Sequence, residues 1–259
     1  MDNSGFLSVA DVGMRFGGLA ALSELSFEMK QGQVKGLIGP NGAGKSTLFN
    51  IIAGVLRPSS GGVAFRGQRI EGLPSHTRIG LGIARTFQNL QIFKDITVLE
   101  NVMVGCHSRF HAGMLASIVC TPRQRREEEQ IHGIAMEKLA LLGLAHKAFS
   151  KASDLSFGES KILEIARALA AEPALLLLDE PVAGVPHAEV ERVVEVIREI
   201  NRNGVSVLLV EHNMSFVMKL CDDIVVLNYG RKIAEGSAAS VRADPQVLQA
   251  YLGEDVEHA

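Results

Sequence analysis

The stretch Gly-Pro-Asn-Gly-Ala-Gly-Lys-Ser-Thr occupies residues 39–47 of the chain. The apolar run Val34–Ile38 precedes it directly and a largely apolar segment, residues 48–52, follows it, which indicates a strand, a glycine-rich loop and a helix. Glycines let successive backbone N–H groups turn toward one point, and a helix N-terminus adds positive partial charge there. The stretch therefore predicts a site for the β- and γ-phosphates of a nucleoside triphosphate.

The side chains of this loop have distinct predicted roles. Lys45 supplies a full positive charge to the phosphate oxygens, and the Ser46 hydroxyl is suited to ligating Mg²⁺. The predicted nucleotide-binding residues of the loop are Gly39, Pro40, Asn41, Gly42, Ala43, Gly44, Lys45, Ser46 and Thr47. Nucleoside triphosphate and Mg²⁺ are thus the expected ligands.

A second motif consists of two acidic residues at the end of an apolar run. Residues 174–178 read Ala-Leu-Leu-Leu-Leu, and Asp179 and Glu180 follow. In an α/β sheet, the carboxyl ends of the strands form the ligand-binding edge. We expect Asp179 to hold Mg²⁺ through its water shell. We expect Glu180 to accept a proton from the water that attacks the γ-phosphate.

Composition limits the class of protein and its partners. With 259 residues, 47% of them hydrophobic, the chain can bury a full core as one large domain or two lobes. The net charge of −3 gives no basic surface for nucleic acid, so no nucleic-acid partner is expected. The odd number of cysteines, without a CxxC pair, fits a reducing compartment. Apolar runs fall short of the ~20 residues that cross a bilayer, and the N-terminus does not resemble a secretory signal.

The order of segments predicts an α/β fold with a parallel-sheet core. Strands are expected at residues 6–12, 25–29, 34–38, 63–65 and 83–87, then at 174–178, 205–210 and 224–227. Helical spacing of apolar residues marks residues 98–144, with one face formed by Ile131, Ile134, Ala135, Leu139 and Leu142. Residues 107–129 are weakly patterned and are interpreted as an exposed excursion with a solvated helical face. We predict one domain, with a core from residues 1–90 and 160–259 and an inserted helical subdomain at residues 91–159.

Five further motifs resemble those of one family, the ATP-binding domains of ABC transporters. Residues 155–159, Leu-Ser-Phe-Gly-Glu, resemble its LSGGQ signature. Gln88 matches the glutamine loop, residues 183–186 fall at the D-loop, His212 matches the switch histidine and Phe16 matches the aromatic residue that stacks on adenine. This resemblance covers nearly the whole chain and implies a P-loop ATPase with an N-terminal antiparallel β subdomain.

The resemblance implies an active site shared between two chains. Two such domains pair head to tail, and ATP lies between the phosphate loop of one and the signature helix of the other. Ser156 and the N–H groups near Gly158 would then contact the γ-phosphate from the second chain. The implied catalytic residues are Glu180, His212, Gln88 and Lys45, and the implied Mg²⁺ ligands are Ser46, Gln88 and Asp179.

A finer resemblance is to the ATP-binding subunit of branched-chain amino-acid importers. It rests on residues 82–89, 96–101, 163–167 and 250–254, and on the excursion after Cys106. It implies transmembrane permease subunits, a second ATPase that is identical or a sister chain, and an extracytoplasmic substrate-binding protein. The implied location is the cytoplasmic face of the inner membrane. The alternatives are an importer of urea or amides, the ATPase of lipopolysaccharide export, and a non-transport ABC protein of ribosomes or DNA.

The sequence departs from the family pattern at the signature and at the D-loop. Glu159 stands where the signature has glutamine, and we interpret Ser156-x-x-Glu159 as a capping box. Pro186 stands where the family has Asp or Asn, so the side chain that hydrogen-bonds across the dimer is missing. We hypothesise that this weakens coupling between the two ATP sites. The next residue, His187, is expected either to substitute for that side chain or to cap the following helix.

Overall fold

The computed structural model describes residues 5–86, 91–106 and 122–252. The strands are β1 (Leu7–Phe16), β2 (Leu19–Met29), β3 (Val34–Ile38), β4 (Ser60–Phe65), β5 (Gln68–Arg69), β6 (Ile83–Arg85), β7 (Leu175–Asp179), β8 (Ser206–Val210), β9 (Asp223–Asn228) and β10 (Arg231–Gly236). The α-helices are α1 (Lys45–Ala53), α2 (Ser75–Gly80), α3 (Val98–Gly105), α4 (Pro122–Leu141), α5 (Phe157–Leu169), α6 (His187–Arg202), α7 (Met214–Leu220), α8 (Ala238–Ala243) and α9 (Pro245–Leu252). Within the described ranges, none of these helices has the length and apolar character needed to span a membrane.

The central sheet has six strands in the order β10-β9-β3-β8-β7-β6. Strands β3, β6, β7, β8 and β9 run parallel, and β10 joins the edge antiparallel to β9. Every residue of β3, β7 and β8 is buried, which explains why these segments read as continuous apolar runs rather than as alternating patterns. The predicted parallel-sheet core is confirmed.

A second sheet of four strands has the order β2-β1-β4-β5, and its pairs are antiparallel. Its apolar side chains share one core with α1 and with one face of the central sheet. Phe6 and Phe65 meet there edge to face, with ring centroids 5.0 Å apart. Helix α1 thus packs in a core that both sheets share, and the antiparallel pairing confirms the expected β subdomain.

The helices α3, α4 and α5 pack on one another and on the other face of the central sheet. Ala135, Leu139 and Leu142 of the predicted apolar face are buried in this core, and Ile131 and Ile134 pack against it half-buried. Helix α3 starts with a capping box between Thr97 and Glu100. Residues 107–121 of the predicted excursion lie outside the described part of the chain. The division into a core and an inserted helical subdomain stays a prediction.

The C-terminal segment contains elements that the sequence patterns did not predict. The sequence of strand β10 shows no apolar face, because all its residues are exposed or half-buried at the edge of the sheet. The short helices α7, α8 and α9 span at most eight residues each, too few to show helical periodicity. Lys35, the second residue of β3, is buried and pairs with Asp223 at 2.7 Å and Glu235 at 2.6 Å. These two acids compensate a charge inside the sheet.

Candidate active site

Three adjacent strands of the central sheet end at the same edge. The ladder β3-β8-β7 is parallel, and its last pairs join Leu37 to Val210 and Asp179 to Val210. The phosphate loop follows β3, Glu180 follows β7, and His212 follows β8 after one residue. The fold therefore brings the three segments that the sequence singled out to one edge of the sheet.

Two glycines of the phosphate loop adopt conformations that other residues rarely adopt. Gly39 has a φ of 147°, and a Cβ atom there would lie 2.1 Å from the carbonyl oxygen of Leu227. Gly44 has a φ of 100° and is the N-cap of α1, and a Cβ atom there would lie 2.7 Å from the carbonyl oxygen of Ala21. Close packing against β9 and β2 thus holds the loop in shape, and only glycine fits at these positions.

Lys45 turns back over its own loop. Its Nζ donates hydrogen bonds to the carbonyl oxygens of Gly39, at 2.6 Å, and Pro40, at 2.8 Å. These bonds hold the ammonium group at the mouth of the loop, beside the N-terminus of α1. Both the full charge and the helix dipole favour an anion at this point.

A cavity of about 480 Å³ opens in front of the loop, a volume typical of small-molecule sites. Its walls come from the β1–β2 turn, the phosphate loop, the end of β7 and the β9–β10 turn. The lining residues are Phe16, Leu19, Ala20, Ala21, Asn41, Gly42, Ala43, Gly44, Lys45, Ser46, Thr47, Glu180, Tyr229 and Gly230. The structure thus unites in one cavity the predicted aromatic residue, most of the loop and the predicted base.

Glu180 has an unusual backbone conformation. Its φ of 48° lies in the left-handed region, which is costly for a residue with a Cβ atom. Its N–H still donates to the carbonyl oxygen of Val210, at 3.0 Å, so the ladder between β7 and β8 extends one residue past the strand end. Strained residues of this kind concentrate at functional sites, where the surrounding structure imposes the conformation.

Asp179 is buried and is not among the described residues that line the cavity. Its Oδ2 accepts a hydrogen bond from the Arg85 guanidinium at 2.8 Å, and Arg85 also donates to Oδ1 of Asn50 at 2.6 Å. The guanidinium lies over the Phe49 ring, 5.2 Å from its centroid. Arg85 was not identified from the sequence, because a lone arginine at a strand end carries no distinctive pattern.

Two predicted site residues, His212 and Gln88, are not among the described residues that line the cavity. The side chain of His212 is exposed, and His212 is absent from the described lining of the nucleotide cavity. Helix α7 begins two residues later, where the Asn213 side chain accepts the N–H of Phe216 at 3.1 Å. Gln88 belongs to residues 87–90, which are outside the described part of the chain.

The signature segment forms the N-terminus of α5, and its capping box is confirmed. Ser156 Oγ accepts the N–H of Glu159 at 3.2 Å, and Glu159 Oε2 accepts the N–H of Ser156 at 3.0 Å. The Lys147 ammonium contacts both oxygens of Glu159 at 2.7 Å. Burial raises the pKa of Glu159, but the hydrogen bonds from Lys147 and from the Ser156 N–H outweigh it and hold that pKa below its ordinary value.

A second glutamate covers the same helix end. Ser156 Oγ donates a hydrogen bond to Oε2 of Glu189, on α6, at 2.9 Å. A Cβ atom on Gly158 would lie 2.1 Å from that same oxygen, so the carboxylate rests directly over the Gly158 backbone. Glu189 was not identified from the sequence, because the 33 residues that separate it from Ser156 conceal the contact.

The D-loop packs against the signature segment and ends at α6. A Cβ atom on Gly184 would lie 3.2 Å from the Phe157 ring, so the two segments touch. Pro186 is the N-cap of α6 and offers no capping side chain. His187 is the first residue of the helix rather than its cap, so the capping role expected for it is wrong. Proline at the N-cap already supplies the extended backbone from which the helix starts.

Comparisons with known proteins identify the family. The family model described as ABC transporter matches residues 22–183, and the one described as branched-chain amino acid ATP-binding cassette transporter matches residues 231–257. The high-affinity branched-chain amino acid transport ATP-binding protein LivG of Escherichia coli is 39% identical over 249 residues, which span 96% of this chain and 98% of LivG.

Solved structures agree with this assignment. A crystal structure of the ADP conformation of an ATP-binding cassette from an ABC transporter has a TM-score of 0.85 and 32% identity, over 97% of this chain and 100% of that one. A dimeric bacterial ABC transporter cassette has a TM-score of 0.73 and 25% identity, over 90% of this chain and 98% of that one. The chain is an ATPase of the ABC transporter family and belongs to its branched-chain amino acid group.

Proposed function

We propose that ATP is bound by the phosphate loop of one chain and is hydrolysed only when the Ser156 end of α5 in a second cassette closes the site. One observation carries this proposal. Lys45 and Glu180 line one cavity, whereas Ser156 and Gly158 do not belong to its described lining. In this proposal, a single chain carries two separate phosphate-binding surfaces, and head-to-tail pairing of two chains brings one of each together.

The cavity residues supply the contacts that ATP requires. Phe16 is half-exposed at the cavity mouth, where its ring can stack on adenine. The loop amides at residues 39–47 and the Lys45 ammonium then hold the β- and γ-phosphates. The hydroxyl of Ser46 and the carboxylate of Asp179 are hard oxygen donors of the kind that Mg²⁺ prefers, with Gln88 as a further ligand. When bound, Mg²⁺ neutralises charge on the phosphates.

Glu180 acts as the general base in this proposal. Its carboxylate lies in the same cavity as Lys45, which positions it to take a proton from the attacking water. We assign His212, which follows β8 after one residue, to stabilising charge on the γ-phosphate, as the family resemblance implies. We assign Gln88, three residues after β6 in the sequence, to linking this centre to the permease, as the family resemblance implies.

Glu189 controls whether the γ-phosphate can reach the second surface, the Ser156 end of α5. The carboxylate accepts the hydrogen bond of the Ser156 hydroxyl and fills the space above Gly158. In the proposed dimer, these same groups bind the γ-phosphate of the ATP held by the partner chain. Two anions cannot share this position, so the γ-phosphate takes the Ser156 hydrogen bond and Glu189 turns away. We expect this exchange to make pairing depend on the charge of the nucleotide.

The transport role rests on the relatives. LivG is a high-affinity branched-chain amino acid transport ATP-binding protein, and we infer that this chain powers uptake of the same class of substrate. Two permease subunits and an extracytoplasmic binding protein complete the importer, and the chain works at the cytoplasmic face of the inner membrane. The core of residues 1–90 and 160–259 carries the ATP, and the helical subdomain of residues 91–159 faces the permease.

We propose that an apolar cleft lined by Arg85 and Thr86 receives a permease helix. The cleft has a volume of about 350 Å³ and lies between β6, α3 and α5. Ile79, Phe93 and Val104 leave large apolar surfaces exposed around it, and Arg85 and Thr86 line its inner side. A permease helix seated here would touch Arg85 and Thr86, which come shortly before Gln88 in the sequence.

The experiment that tests the function combines hydrolysis with transport. Lys45→Ala should abolish ATP binding, whereas Glu180→Gln should bind ATP without turnover. Chains tagged and purified from membranes should bring permeases with them, and vesicles that contain the complex should import labelled leucine. If the vesicles imported urea or an amide instead, the proposed substrate class would be wrong, but the proposed mechanism of ATP hydrolysis would stand. Normal hydrolysis by Glu180→Gln would contradict the assignment of the base.

A further inference from the structure

Glu211 stands between β8 and His212, and its side chain is completely buried. The backbone ladder between β7 and β8 ends here, since the last hydrogen bond runs from the Glu180 N–H to the Val210 carbonyl oxygen. Beyond that point, the segments that carry Glu180 and His212 have no strand pairing to hold them together. Past the bond between Glu180 and Val210, a side chain makes the hydrogen bonds that join the two segments.

The carboxylate of Glu211 bridges the two segments. Its Oε1 accepts the N–H of Val182, in the segment after Glu180, at 3.0 Å. Its Oε2 accepts the N–H groups of His212 at 3.1 Å and Asn213 at 3.2 Å. A carboxylate suits this place because it is a pure acceptor with two oxygens, and three backbone donors meet it. Within the part of the chain that the structure describes, no cation pairs with Glu211, so these N–H groups are its direct partners.

We infer that Glu211 is a positioning residue, which fixes the backbone of His212 at a set distance from Glu180. The inference rests on the proposed function, in which these two residues act on the same γ-phosphate. Glu211 holds the switch segment from one side, and the Asn213 cap of α7 holds it from the other. A displacement of about 1 Å in such an arrangement costs on the order of 100-fold in rate.

Two variants separate the bridging bond from the local ones. Glu211→Asp has a carboxylate one methylene shorter, which still reaches the N–H groups of its own segment, as aspartate does in Asx turns. It loses the bond to Val182 across the gap. Glu211→Gln keeps the length but places an NH₂ donor against backbone donors. We expect both variants to lower kcat for ATP roughly 10-fold or more and to leave the Kd for ATP within about twofold.

The His212→Ala background shows whether Glu211 acts through the histidine. If it does, adding Glu211→Asp to His212→Ala should lower the single-turnover rate by less than about twofold, because the two effects do not add. Ile197→Ala, in the buried core of α6, is the matched control for lost stability. It should lower the melting temperature without lowering kcat.

Three results would overturn the inference. Wild-type kcat in folded Glu211→Asp and Glu211→Gln would show that the bridge is not needed. If the two substitutions lowered the single-turnover rate independently, so that their fold-losses multiplied in the double variant, Glu211 would not act through His212. Wild-type turnover in His212→Ala would remove both this inference and the role proposed for His212. By contrast, a loss in His212→Ala without one in the two Glu211 variants would contradict this inference alone.

Discussion

Glu189→Gln should strengthen the ATP-dependent pairing of two chains. The Glu189 carboxylate lies 2.9 Å from Ser156 Oγ. If the carboxylate stayed in place, a phosphate oxygen that accepts from the same hydroxyl would lie about 4 Å from it, and this separation sets the scale of the repulsion that turns Glu189 away. Two unit charges at that separation repel by about 1 kcal/mol in water and more at a closed interface. Glutamine keeps the size and the hydrogen-bonding oxygen of the side chain but removes its charge.

The size of the effect follows from symmetry. A head-to-tail dimer contains two such sites, so the substitution removes about 2 kcal/mol of repulsion, which corresponds to roughly a 30-fold lower dimer Kd. The effect is present only with ATP, because without the γ-phosphate nothing competes for Ser156. High salt should reduce it, since the interface forms from exposed surfaces.

Sedimentation equilibrium measures this directly. The Glu180→Gln background prevents hydrolysis, and dimer Kd is compared with and without Glu189→Gln across ATP concentrations. Glu195→Gln is the matched control, because it removes an exposed charge from the same helix away from Ser156. An unchanged or higher dimer Kd in Glu189→Gln would refute the reasoning and would instead assign Glu189 to orienting the serine.

Three further outcomes are expected. Glu159→Ala should destabilise the fold by about 1–2 kcal/mol in chemical denaturation at pH 7, because it loses the capping box and the Lys147 contact. The pKa of Glu159 is lower in the folded chain than its ordinary value of 4.5, so this stabilisation is complete above pH 4.5 and should disappear as the pH falls through the folded pKa. Arg85→Met should lower the free energy of unfolding by about 3 kcal/mol, because it leaves the buried Asp179 unpaired. The double variant Arg85→Met with Asp179→Asn should recover most of that free energy in chemical denaturation. Pro186→Asn should stabilise the start of α6 by about 1 kcal/mol and raise ATPase activity by restoring a side chain across the dimer; unchanged hydrolysis and transport would remove the coupling hypothesis.

Local signals were sufficient to predict the centre of the fold and the edge that carries the site. Val34–Ile38 and the glycine-rich loop form the expected strand, turn and helix, because both the apolar run and the loop are contiguous in the sequence. Asp179 and Glu180 end β7 for the same reason. The capping box at Ser156 and Glu159 was also predictable, since its two partners are three residues apart.

Contacts between distant segments could not be predicted. Arg85 and Asp179 are 94 residues apart, and no periodic pattern connects them. The same holds for Ser156 with Glu189 and for Glu211 with Val182, which meet only because the sheet and α6 fold together. The left-handed conformation of Glu180 is imposed by packing and by the bond to Val210, whereas glutamate itself has no preference for it.

In the proposed mechanism, each ATP site is built from two chains. Lys45→Ala disables the phosphate loop, and Ser156→Arg disables the signature end of α5, so each variant alone should be inactive. When the two are mixed, each mixed dimer contains one site with an intact loop from one chain and an intact Ser156 from the other, and ATPase activity should return. A mixture that stays as inactive as its components, although mixed dimers form, would contradict the account.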